Sequence, residues 1–60
     1  MQEFEDLKRL VSEVDDDLQK AIGGNKAAGT RVRKQMQEVK NAAQAVRQKI
    51  LDLRDQEGGG

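Results

Sequence analysis

Cysteine, histidine, tryptophan, tyrosine and proline are all missing from these 60 residues, and Phe4 is the one aromatic side chain. Without cysteine or histidine there is no zinc finger, no disulfide framework, no thiol nucleophile and no imidazole base. The shortage of aromatics argues against stacking on unpaired bases, and so against single-strand or sequence-specific RNA recognition. Long apolar runs are also missing. The longest is two residues, which is too short to span a membrane or to form the core of a signal peptide. The default expectation is therefore a cytoplasmic chain. Excess charge of either sign is absent as well, since 11 basic and 11 acidic side chains cancel. Any attraction to nucleic acid must then come from how the charge is distributed.

What is present is a patterned apolar minority. Leu, Ile, Val and Phe together number 13 of 60, close to the composition at which chains stay unfolded. Their order supports folding. Phe4, Leu7, Val11, Val14, Leu18 and Ala21 step by alternating threes and fours, the spacing of a helix that buries one seam. Leu10 and Ile22 flank that seam. A second series, Val32, Met36, Val39, Ala43, Val46, Ile50 and Leu53, steps in the same way, with Ala28 one turn earlier and Ala42 and Leu51 alongside. Between them stands Gly23-Gly24-Asn25. Paired glycines close a helix through a left-handed residue, and Asn is a strong N-cap for the next.

The expected fold is all-α: a helical hairpin of two antiparallel helices, the first over about residues 2–22 and the second over about 26–57. A single domain, 1–57, is expected, followed by a flexible glycine tail, 58–60. At 1.5 Å per residue the second helix outlasts the first by roughly 18 Å. Val46, Ile50, Leu51 and Leu53 are expected to project past the first helix. A chain this short, with no metal or disulfide, is marginal alone. A second copy covering those residues, giving a homodimer and a four-helix bundle, is the expected remedy. The alternative is a second helix whose last turns stay solvated.

The net charge of zero conceals a partition. Residues 1–22 carry Glu3, Glu5, Asp6, Glu13, Asp15, Asp16 and Asp17 against Lys8, Arg9 and Lys20, a net of −4. Residues 23–49 carry Lys26, Arg31, Arg33, Lys34, Lys40, Arg47 and Lys49 against Glu38, a net of +6. Helix N-termini favour carboxylates, yet the second helix begins with Lys26, Arg31, Arg33 and Lys34 and no acid. That arrangement suits a bound anion, and phosphate is the anion that matches Arg and Lys near a helix start. Gly23, Gly24 and Gly29 would allow close backbone approach. The competing reading is internal: Asp15, Asp16 and Asp17 fall near Arg31 and Arg33 across the hairpin and could pair with them. The acidic triplet itself lacks the ligand alternation and turn glycine of a calcium loop, so no metal or cofactor is expected. Gly24-Asn25-Lys26 lacks the spacing of a P-loop, and neither Ser12 nor Thr30 has a base to activate it. No enzyme and no small-molecule substrate are expected.

The run Gly24-Asn25-Lys26-Ala27-Ala28-Gly29-Thr30-Arg31-Val32-Arg33-Lys34 resembles the signature of bacterial histone-like nucleoid proteins related to the chlamydial linker-histone-like family. It is most similar to the short members found in Bacteroidota. Phe4-Glu5-Asp6-Leu7-Lys8 before it, and Met36-Gln37-Glu38-Val39-Lys40, Ala43-Gln44 and Arg47 after it, extend the resemblance over nearly the whole chain. The resemblance implies a small nucleoid protein that binds double-stranded DNA with little sequence preference. Chlamydial relatives continue into a long Lys/Ala/Pro-rich tail, which these 60 residues do not contain. The expected DNA contacts are thus Lys26, Arg31, Arg33, Lys34 and Lys40, with Arg47 and Lys49 in reserve. The other function weighed is a helical dimerisation or protein-interaction module with no direct DNA contact.

Overall fold

In a computed structural model, residues 1–58 are described, as two helices joined by a three-residue turn. Helix α1 runs Gln2–Ile22 and helix α2 runs Lys26–Gly58. They pack side by side as an antiparallel hairpin 54 Å long and 15 by 12 Å in cross-section. Gly58 belongs to α2, and the rest of the glycine tail expected at 58–60 lies outside the described residues.

The turn is built from backbone chemistry that the Gly-Gly-Asn triplet supplies. The Asn25 amide donates to the Lys20 carbonyl at 3.0 Å, and the Gly24 amide donates to Ala21 at 3.0 Å. This pair of bonds is a Schellman closure, which needs a left-handed residue at its centre. Gly24 takes that place, with φ of 103°. Asn25 then caps the next helix: its Oδ1 accepts from the Ala28 amide at 2.9 Å. One residue both completes the end of α1 and starts α2, so the chain reverses in three residues. At the far end of α1, Glu3 and Glu5 occupy the first turn, where the helix dipole favours carboxylates.

Leu7, Val14, Ala21, Ala28, Val32, Val39 and Val46 lie in the seam, on the expected apolar lines, but the alternate members of each line are replaced by the residue one position earlier. Leu7, Leu10, Val14, Asp17 and Ala21 face α2, while Ala28, Val32, Gln35, Val39, Ala42 and Val46 face α1, all buried or half-buried. Among the described residues only Val14 and Ala28 are buried, at 3% and 0% exposure. Phe4, Val11 and Leu18, expected in the seam, are exposed, with Val11 at 52%. Met36, Ala43 and Ile50 are exposed too. The difference has a local cause. Leu10 and Val11 are both apolar, so α1 can bury either line, and burying the Leu10 line brings the polar Asp17 to the interface. Arg31 and Gln35 satisfy that carboxylate, which removes the objection.

Helix α2 outlasts α1, but Val46, expected past the end of α1, lies in the seam against it. Val46 is half-buried, whereas Ile50, Leu51 and Leu53 lie bare on the hairpin. No helix among the described residues is long and apolar enough to cross a membrane.

Candidate nucleic-acid interface

The charged side chains divide by helix into a paired set and a free set. On α1 every cation meets an acid of its own helix. Lys8 bonds Glu5 at 2.8 Å, Arg9 reaches Asp6 at 3.6 Å and Glu13 at 3.9 Å, and Lys20 reaches Asp16 at 3.5 Å. Lys8 also lies 5.2 Å from the centre of the Phe4 ring, over its face. These are neighbours three and four residues apart on one helix surface. The Lys8 ammonium, by hydrogen bond first and by charge second, holds the Glu5 carboxyl below its ordinary value.

A single ion pair crosses the hairpin among the described residues. Asp17 Oδ1 accepts from Arg31 Nε at 3.2 Å and from Nη2 at 3.0 Å, and its Oδ2 accepts from Gln35 Nε2 at 3.2 Å. The hydrogen bond from Arg31 is the main reason the Asp17 carboxyl sits below its ordinary 3.8; partial desolvation opposes it, and Gln35 assists. The same bond raises the Arg31 guanidinium further. Gln35 points its other amide atom, Oε1, into the interface without a partner. Turning the amide over would place that oxygen against the carboxylate, so the orientation is fixed by Asp17.

The remaining cations of α2 stand apart from this network. Among the described residues, Lys26, Arg33, Lys34, Lys40, Arg47, Lys49 and Arg54 make no ion pair, and each is exposed. Of the five residues expected to meet DNA, Lys26, Arg33, Lys34 and Lys40 are therefore presented to solvent, while Arg31 is engaged by Asp17. Asp15 and Asp16 do not approach Arg31 or Arg33: Asp16 pairs with Lys20 and Asp15 stays exposed. Of the cations weighed for pairing across the hairpin, Arg31 is engaged and Arg33 has no ion pair among the described residues. The sequence reading passed over Gln35. Its signal was available in two polar residues, Asp17 and Gln35, interrupting otherwise apolar lines on both sides of the turn.

No cavity and no metal-holding cluster of acids occurs among the described residues. The described surface of α2 is an open helix face that presents exposed cations to solvent. The chain belongs to the family of histone H1-like protein Hc1, whose family model matches residues 1–56. That family is made of nucleoid DNA-binding proteins concerned with packaging, not catalysis. No curated protein and no solved structure matches the chain.

Proposed function

We propose that this chain binds duplex DNA without sequence preference, through phosphate contacts from Lys26, Arg33, Lys34 and Lys40, and that it acts as a homodimer. The observation that carries the DNA reading is the asymmetry of pairing. α1 neutralises its own cations, whereas α2 holds seven exposed ones with no acid bonded to them among the described residues. Exposed cations of this density favour a partner whose charge is continuous, and duplex DNA carries one phosphate per ~1.7 Å of axis. Arg31 serves the hairpin first, since its Nε and Nη2 are already donated to Asp17.

The dimer reading rests on a second asymmetry. In an antiparallel pair, the positions that follow the seam on each helix lie on the same side of the hairpin. Phe4, Val11 and Leu18 of α1 and Met36, Ala43 and Ile50 of α2 therefore share one broad side, and all six are exposed. The other side carries Asp6, Glu13, Lys20, Arg31, Glu38 and Asp52. A second hairpin placed against the apolar side, extending to Leu51 and Leu53 at the overhang, would complete a four-helix bundle. Each large side chain buried this way contributes on the order of 1.5–3 kcal/mol if covered fully.

Duplex binding followed by fluorescence anisotropy across a salt series tests the proposal. Four phosphate contacts predict a log–log slope near −3.6 per hairpin. Absence of duplex binding at low ionic strength would leave a protein-association module, the other reading of the same surface.

A further inference from the structure

The exposed cations of α2 are not simply clustered near the turn. Lys26, Arg33, Lys40, Arg47 and Arg54 recur at every seventh residue, and all five are exposed. The seam residues of α2 follow the same seven-residue repeat, so these cations keep a constant position relative to α1 along the packed length. At 100° per residue they lie about 130° around α2 from the line that faces α1. They therefore point away from the acids of α1. The line directly opposite α1 consists of Thr30, Gln37, Gln44 and Leu51, which are uncharged, and it separates the row from Lys34 on the far flank. The acids of α2 that the structure describes, Glu38 and Asp52, fall on the opposite flank with Arg31.

We infer that α2 lies lengthwise along the duplex and uses this row as its contact line, so that the DNA-binding surface is the whole helix and not its first turns. The inference rests on the DNA reading above and specifies its geometry. Successive cations are about 10.5 Å apart, and the row extends about 42 Å. That matches about 12 base pairs at 3.4 Å each. Long Arg and Lys side chains at this interval reach phosphates wherever the backbone passes, without any requirement for a particular base. The hairpin explains why the row can be continuous. By assigning Arg31 to Asp17 and keeping Glu38 and Asp52 on the other flank, the fold leaves one face of α2 free of carboxylates over its described side chains.

The test is a neutralisation scan in the full chain, with binding to a 24-base-pair duplex measured between 50 and 200 mM salt. Arg33→Gln, Lys40→Gln, Arg47→Gln and Arg54→Gln are compared with Lys20→Gln on α1 as an off-row control. Circular dichroism establishes that each variant remains helical. Each row variant is expected to lower the salt slope by about 0.9 and the affinity at 0.1 M salt by about eightfold, with Arg47 and Arg54 counting as much as Arg33. Lys20→Gln is expected to change neither. Should the wild-type chain bind with a steep slope while Arg47→Gln and Arg54→Gln bind normally, the contact is local to the turn and the lengthwise arrangement is wrong. Should the wild-type chain fail to bind duplex at all, the DNA reading fails with it. Retention on anionic vesicles in place of duplex, lost in the same variants, would reassign the row to a lipid surface and overturn the inference.

Discussion

Asn25 and Gly24 hold the hairpin's reversal, and each does so through one identifiable term. Asn25→Ala removes the acceptor for the Ala28 amide and is expected to cost about 1 kcal/mol. In a domain of this size that lowers Tm by roughly 4–8 °C, read by thermal circular dichroism. Gly24→Ala is expected to cost about 1–2 kcal/mol, although a Cβ there would meet nothing within 4 Å. The penalty comes from the backbone, since φ of 103° disfavours any residue with a side chain. Gly29 behaves oppositely. It sits inside α2 with open space where a Cβ would be, so Gly29→Ala is expected to stabilise the hairpin by about 0.5–1 kcal/mol.

Asp17 gives the molecule an acid-sensitive contact. Its carboxyl titrates below the ordinary 3.8 because Arg31, and secondarily Gln35, bond its charged form. A depressed carboxyl contributes its stability fully above that ordinary value and loses it as pH falls through the lower folded value. Unfolding midpoints measured from about pH 5 to about pH 2 should therefore fall more steeply for the wild type than for Asp17→Asn.

Each helix was predictable as an element, and its rotation about its own axis was not. Apolar spacing and the Gly-Gly-Asn triplet define two helices whose observed bounds are Gln2–Ile22 and Lys26–Gly58. Periodicity alone does not choose between adjacent apolar lines, and α1 has two, through Leu10 and through Val11. The choice was made by a pairwise term, the bonds that Arg31 and Gln35 offer Asp17 across the hairpin. The sequence offers Asp15, Asp16 and Asp17 as partners for Arg31 and Arg33, and only the placed helices select Asp17 with Arg31 and add Gln35. The cation row was visible in the sequence as a strict interval of seven, yet it reads as a face only once α2 is unbroken to Arg54.

That rotation yields a discriminating experiment on α1. Val11 and Leu18 are exposed on the single hairpin, so Val11→Asp with Leu18→Asp should change hairpin stability by less than about 0.5 kcal/mol per site. If the apolar side is the dimer face, the same double variant should nonetheless convert dimer to monomer in sedimentation equilibrium at micromolar concentration. Ile50→Asp should do the same, and Gln48→Asp should not.

The hairpin is slender, with two buried side chains among the described residues and one apolar side left open. A lone hairpin of this kind has little to hold it together, because a small chain buries a modest share of its surface. Coupling folding to association gives a simple signature: Tm should rise with protein concentration if the homodimer forms, and stay constant if it does not. Binding of duplex should raise Tm further and lose that effect as salt increases.

The three-residue turn also sets the order in which the structure comes apart. Every pairing between the helices is nested around Gly24, so contacts close to the turn join residues near one another in the chain, and those at the open end join distant ones. Loop closure is easiest for the former. Amide hydrogen exchange should accordingly be slowest around Val14, Ala21, Ala28 and Gln35 and quicken steadily toward Gln2 and the last turns of α2, like a zipper with its stop at Asn25.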